Sequence, residues 1–250
     1  IKYRIYPTEK QKEQLIKTFG CCRYVKNYYL TREQDYYKSD GGYLSRTTNN
    51  NHCNQVLKEQ YPWLCEVDKF ALTNAIYQLD AAFQRFFKKE GGYPKYRSRR
   101  DRQSYTTNFT NGNIAVLDGS VKLPKLGRVK AKVHRRAQEG YVLKSATVSM
   151  ERDGSFYCSV LYEYEQIIIS VEVKSLIGLD YKSNGLYCDS DGNVVNMPHY
   201  YRMQEKKLRK QQKLLARKTG ALKGEEQSSN YKKQLKKLNK VYRHLANQRK

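Results

Sequence analysis

The chain has 250 residues, with 48 Lys or Arg against 24 Asp or Glu, a net charge of +24, and 23 Tyr against 7 Phe. That length supports one large domain or two smaller ones, each with a real core. The charge excludes an ordinary enzyme of neutral small molecules and points to a polyanion, on whose bases the Tyr rings can stack. No run of about 18 apolar residues and no signal peptide is present, so the chain reads as soluble and cytoplasmic, with no membrane partner. Cys21, Cys22, Cys53, Cys65, Cys158 and Cys188 form no C-x-x-C pair and read as reduced packing residues. The four His have no metal-ligand spacing, which argues against a zinc site made from this chain alone.

In chain order, residues 1–6 alternate as a strand that Pro7 closes. Thr8 then caps a helix carrying Leu15, Ile16 and Phe19 on one face, with Gly20 near its end. A second helix is expected over 21–38, with Val25, Tyr28, Tyr29 and Tyr36 as a stripe. The pair reads either as helix-turn-helix or as a plain helical hairpin. Residues 40–52 read as a polar loop and 52–60 as a further helix, broken at Tyr61-Pro62-Trp63. Residues 68–89 carry Phe70, Leu72, Ile76, Leu79, Ala82, Phe83, Phe86 and Phe87 at helical spacing.

Lys95, Arg97, Arg99, Arg100 and Arg102, interleaved with Tyr96, follow a Gly/Pro break and suit phosphate contact. From 103 to 173 the period becomes two. Strands are expected at 114–117, 120–123, 128–133, 143–148 and 156–162, with Asp118-Gly119 and Asp153-Gly154 as hairpin turns. With residues 1–6 they suggest a small barrel or curled sheet, and the helices between look inserted after its first strand.

A new sheet starts near 175. Leu176-Ile177-Gly178-Leu179-Asp180 reads as a buried strand delivering a carboxylate, followed by a hairpin around Asp189–Asn193. An Asp there either ends a strand in a turn or holds a hard divalent cation. The chain closes on two helices, 200–218 and 231–250, with Tyr231, Leu235, Leu238, Tyr242 and Leu245 as a narrow seam. Residues 201–250 hold 17 Lys or Arg and three Glu. Such one-signed faces, including Arg202, Lys206, Lys210, Arg217, Lys233 and Lys237, imply phosphates nearby. The chain begins and ends inside periodic patterns and reads as part of a longer protein.

The ordered set of Tyr3–Thr8 with its following helix pair, Glu66–Leu72, Ser104–Asn111, Lys122–Gly127, Gly178–Asp180 and Ala246–Lys250 resembles TnpB, the RNA-guided nuclease family of small bacterial insertion sequences, ancestral to type V CRISPR effectors. The resemblance implies an α+β, multi-domain chain. A wedge β-barrel (1–7 and 103–173) carries an inserted helical recognition lobe (8–102). The N-terminal portion of an RNase H-like RuvC domain follows (174–250), with its basic hairpin.

As partners it implies a guide RNA from the element's end, one protein monomer per guide, and target double-stranded DNA beside a short motif, in a cytoplasm-and-nucleoid setting. By motif match, Asn51, Lys69, Phe70, Thr73, Thr110 and Asn111 face that duplex. Asp180 matches the first catalytic, Mg²⁺-binding carboxylate. The remaining carboxylates and a structural Zn²⁺ ribbon are expected beyond residue 250, so the 250 residues are expected to bind and not to cut. A nuclease-dead, RNA-guided repressor of the same family is the alternative. A basic ribosome-associated protein would explain the charge, but not the strand ending in Asp180 or the ordered motifs.

Overall fold

Strand β1 (Lys2–Tyr6) buries Tyr3 and Ile5 and turns Lys2, Arg4 and Tyr6 outward, the alternation a half-buried strand demands. The computed structural model describes residues 1–165, 174–183, 185–197, 199–220 and 226–248. The chain divides into two units, 1–165 and 166–250. Expectations that fall on 166–173, 184, 198, 221–225 and 249–250 lie outside the described residues.

In the first unit, Thr8 opens α1 (Glu9–Asp40) with a capping box: Gln11 N donates to Thr8 Oγ1, and Thr8 N donates to Gln11 Oε1 at 3.0 Å. Gln11 Nε2 also donates to the Leu126 and Arg128 carbonyls, at 3.1 and 2.9 Å, tying the helix start to the sheet. The expected break at Gly20 is absent, and 9–40 is one helix. Residues 19–22 (Phe-Gly-Cys-Cys) offer no N-capping side chain and no Pro. A mid-helix Gly costs only about 0.5–1 kcal/mol, which burial of Phe19, Cys21, Cys22 and Val25 offsets. Ile16, expected on the inner face, is half exposed. Gly41, at φ +68°, ends the helix, a conformation glycine adopts without strain.

The expected polar loop is partly helical. Ser45 Oγ accepts from Thr48 N at 3.1 Å and starts α2 (Arg46–His52). A π-helical turn (Cys53–Leu57) and α3 (Lys58–Gln60) continue it. The Asn-rich run folds because α1 satisfies it: Asn49 Nδ2 donates to Glu33 Oε1 at 2.6 Å, and Arg32 Nη1 donates to Asn49 Oδ1 at 2.7 Å. After a 3₁₀ turn (Pro62–Glu66), Asp68 caps α4 (Lys69–Phe87). Its Ala71, Leu72, Ala75, Ile76, Leu79 and Phe83 enter the core, whereas Phe86 and Phe87 stay partly exposed at its end.

These helices lie in sequence between β1 and the rest of a seven-stranded antiparallel sheet of order β2-β6-β7-β1-β5-β4-β3. Its other strands are β2 (Gln103–Asn108), β3 (Ala115–Leu117), β4 (Ser120–Leu123), β5 (Gly127–Lys132), β6 (Val142–Met150) and β7 (Phe156–Glu163). Strand β2, a Thr- and Ser-rich stretch, was not expected as a separate strand; it forms through a six-residue register with β6. The turn glycines Gly119 and Gly154 take φ +66° and +82°, as two of the hairpins require. The fold of this unit is α+β.

The second unit holds a three-stranded antiparallel sheet, β10-β9-β8, from β8 (Leu179–Tyr181), β9 (Tyr187–Asp189) and β10 (Val194–Val195). The expected buried strand is a correction: every residue of β8 is exposed. It is a three-residue edge that pairs only with β9 among the described residues, so nothing described covers its faces. Helices α5 (Tyr200–Ala216) and α6 (Ser229–Gln248) pack around Leu208, Leu238, Val241 and Leu245. Val241, not the expected Tyr242, completes that seam; Tyr242 is 45 % exposed and accepts from Gln212 Nε2 at 2.8 Å.

Candidate nucleic-acid interface

The start of α4 and the β2–β3 loop face each other across a cleft of about 590 Å³. Asp68 Oδ1 accepts from Phe70 N at 3.4 Å, which sets the helix start and places Lys69 and Phe70 at its first turn. The Lys69 ammonium sits 5.1 Å from the centroid of the Phe70 ring, a cation–π contact. Opposite, Asn113 clasps its own loop: Oδ1 accepts from Thr110 N at 2.8 Å and Nδ2 donates to the Asn108 carbonyl at 3.0 Å. Asn111 and Gly112 take φ +48° and +70°, conformations that Asn and Gly adopt more readily than other residues. Lys122 Nζ closes the loop on the Gly112 carbonyl at 3.1 Å.

Lys58 and Lys125 add two further ammonium groups to this cleft, which therefore carries three lysines. Asp68 is its one lining carboxylate; Oδ2 is buried and without a partner among the described residues. Ammonium groups, Thr and Asn side chains and one aromatic face suit phosphates and base edges of a duplex. Four of the six residues expected at the duplex thus converge: Lys69, Phe70, Thr110 and Asn111. The other two stand outside the cleft. Asn51 is exposed on α2, and Thr73 Oγ1 donates to Asn50 Oδ1 at 3.0 Å. The sequence reading missed Lys58, which had no motif around it, and Lys125, which lay inside the quoted Lys122–Gly127 stretch.

The basic run is an ordered strap. Lys95, Arg97, Arg99, Arg100 and Arg102 are exposed along it. The Tyr96 hydroxyl donates to Gln34 Oε1 at 2.7 Å, so this half-exposed side chain is held at the helix. Hydrogen bonds from the Ser98 backbone and side chain hold the Asp101 carboxyl below its ordinary value. On the terminal hairpin, Arg202, Lys206, Lys210, Arg217, Lys233 and Lys237 are all exposed, and none joins an ion pair among the described residues.

Asp180 pairs in register with Cys188. Asp189 belongs to the neighbouring pair and so to the opposite face. Its carboxylate is already committed to Asn193 N, Asn193 Nδ2 and Asp191 N at 2.7, 3.0 and 3.1 Å. These bonds, led by the Asn193 side chain, hold its carboxyl below the ordinary value. Among the described residues no three His, Cys, Asp or Glu side chains gather to hold a metal. The described part of the chain therefore does not fit a two-metal centre by itself. Among those residues, too, no helix is long and apolar enough to cross a membrane.

Three comparisons bear on this arrangement. A family model described as a helix-turn-helix domain, that of OrfB_IS605, matches residues 1–42; here those residues form β1 and the single helix α1. A protein of Streptomyces pristinaespiralis whose name includes "RNA-guided DNA endonuclease" is 29 % identical over 250 residues, 99 % of this chain and 60 % of its own length. InsQ of Escherichia coli K12, whose name includes the same words, is 25 % identical over 248 residues, 98 % of this chain and 59 % of its own. The chain thus spans about three fifths of the curated relatives it matches. The solved structure titled as the Cas12f1-sgRNA-target DNA complex shares the fold, with a TM-score of 0.55 at 10 % identity over 93 % of this chain and 59 % of that one. Over nearly its whole length the chain is thus similar to curated proteins whose names include "RNA-guided DNA endonuclease", and over residues 1–42 to the OrfB_IS605 helix-turn-helix model.

Proposed function

We propose that the intact protein is an RNA-guided DNA endonuclease of a bacterial mobile element, acting in the cytoplasm on nucleoid DNA, one protein monomer per guide. The observation that supports this most directly is the convergence of Lys69, Phe70, Thr110 and Asn111 on one cleft. Those residues come from two separate stretches of sequence, and a shared cleft lets them contact a single motif-bearing duplex. The names of the two full-span relatives point the same way.

In this reading the seven-stranded sheet, with residues 1–7 and 103–173, is the wedge barrel, 8–102 the recognition lobe, and 174–250 the first part of a RuvC domain. Guide RNA pairs with the target strand while protein reads duplex shape and a short adjacent motif. Asp180 supplies one oxygen ligand of a divalent metal, Mg²⁺ by its preference for hard oxygens. The other ligands would come from outside the described residues, so no step is assigned through that metal here.

The test is differential. In the full-length protein, Lys69→Ala and Thr110→Ala should each weaken motif-bearing DNA by about 1–3 kcal/mol and leave guide-RNA affinity at wild type. Equal loss on RNA and DNA would overturn this assignment of the cleft.

A further inference from the structure

Beneath the basic strap lies a second cleft, of about 180 Å³, between α1, α4 and β2. Arg23, Lys26, Arg97 and Arg102 line it, and Asp101 is the one carboxylate among its lining residues. That carboxylate is committed, because Ser98 N donates to Asp101 Oδ2 at 2.7 Å. Lys26 is half buried and joins no ion pair among the described residues. Burial, then the Arg97 and Arg85 guanidiniums, pushes its ammonium below the ordinary lysine value. Four cations thus share the recess with one carboxylate, and Lys26 is partly desolvated among them, an excess of positive charge that costs free energy until an anion enters.

The recess is also preorganised. Asn27 clasps the strap through both backbone groups of Arg97: Asn27 Nδ2 donates to the carbonyl at 2.9 Å, and Arg97 N donates to Asn27 Oδ1 at 2.8 Å. Gln103 Nε2 donates to the Arg99 and Asp101 carbonyls at 3.1 and 2.7 Å, while its Oε1 accepts from Arg23 Nη1 at 3.0 Å. One hydrogen-bonded frame therefore fixes the strap backbone and the Arg23 guanidinium together. Arg forks beside a lysine ammonium match phosphate oxygens, and the volume is too small for a base pair.

We propose that Arg23, Lys26, Arg97 and Arg102, with the strap held by Asn27, form a phosphate site for a nucleic-acid backbone. The site deepens the functional reading above and rests on it. Arg23, Lys26 and Asn27 lie within the stretch that the helix-turn-helix model matches, but none of them is among the residues expected to contact nucleic acid.

The experiment measures binding of the full-length protein to a labelled single-stranded RNA and to a labelled DNA duplex of the same sequence, over a salt series. Lys26→Gln should weaken binding roughly three- to tenfold and flatten the plot of log affinity against log salt by about 0.7–0.9. Lys26→Arg should keep both near wild type. Asn27→Ala removes no charge, yet it should weaken binding by freeing the strap, with the melting midpoint checked for each variant. Loss on RNA alone assigns the phosphate to RNA, loss on the duplex alone to DNA, and loss on both to each; all three support the site. A folded Lys26→Gln protein with wild-type affinity and slope on both probes would overturn it. Wild-type protein that binds neither probe would instead remove the parent reading.

Discussion

Asn74 donates its side-chain amide to Asn108 Oδ1 at 3.1 Å and to the Thr106 carbonyl at 2.9 Å. The contact joins α4 to the end of β2, one step before the loop that carries Thr110 and Asn111. It therefore couples the two walls of the proposed target-reading cleft. Asn74→Ala should lower stability by about 1–2 kcal/mol, through two lost hydrogen bonds and an unpaired acceptor. It should also weaken motif-bearing DNA more than guide RNA, although Asn74 itself does not line the cleft. Parallel melting and binding measurements check this; a stability loss with no change in DNA affinity would separate the contact from recognition.

Glu33 is a buried carboxyl, 4 % exposed. It accepts from Asn49 Nδ2 at 2.6 Å and from Leu44 N at 3.1 Å. Burial is the largest influence and raises its pKa against the pull of those bonds and of Arg32, with Asp80 adding to the rise. The folded state therefore binds the proton more tightly than the unfolded chain, whose Glu titrates near about 4.3. Its contribution to stability is present below that value and is lost as pH rises through the raised folded one. Glu33→Gln removes this dependence. The melting midpoint of the variant relative to wild type should climb as pH rises from about 4 to 7 and level off above the folded value. A difference that stays constant with pH would show that Glu33 is ionised in the fold at no cost.

The terminal hairpin gives a salt prediction. Lys206, Lys210, Lys233 and Lys237 are exposed on α5 and α6, and none joins an ion pair among the described residues. Changing all four to Gln should leave the Leu208, Leu238, Val241 and Leu245 seam intact. It should flatten the salt dependence of guide-RNA binding by up to about 3, at about 0.7 per phosphate contact on a single strand. An unchanged slope would mean that this face does not meet nucleic acid.

The sequence carried much of this fold in its periodicities. Alternation placed β1, β4 and β7 nearly to the residue, and the Asp-Gly pairs marked the tight turns at Gly119 and Gly154. Other elements depended on partners far along the chain. Gly20 looked like a helix end, yet the cost of one glycine is small beside burial of its neighbours. The Asn-rich start of α2 read as loop because its stabilising partners, Arg32 and Glu33, lie more than a dozen residues earlier. The cleft residues were legible as motif members, but their convergence was not, since it needs the clasp that Asn113 makes on its own loop. Of the recess around Lys26, Arg97 and Arg102 were legible as part of the basic run, but Arg23 and Lys26 were not: its cations are spread over two segments brought together by Asn27.

Asp180 carries the last prediction. It stands in the middle of β8, exposed, opposite Cys188. Among the described residues its carboxylate accepts no hydrogen bond and joins no ion pair. Two roles compete for such a residue. As a mere strand residue it would contribute almost nothing, since an exposed side chain without partners changes stability by less than about 0.5 kcal/mol. As a metal ligand it would be indispensable to cleavage, because a hard divalent cation holding a phosphodiester needs negative oxygens at fixed positions. The near absence of structural work makes the substitution clean. In the full-length protein, Asp180→Ala should fold and melt like wild type and bind guide RNA and target DNA as well or slightly better, with one negative charge fewer near phosphate. It should also lose divalent-metal-dependent cleavage by several orders of magnitude. Asp180→Asn should lose cleavage as well, because the amide keeps the shape and removes the charge. A well-folded Asp180→Ala protein that still cuts its guided target would dismiss this strand from the nuclease site while leaving the nucleic-acid cleft of the first unit untouched.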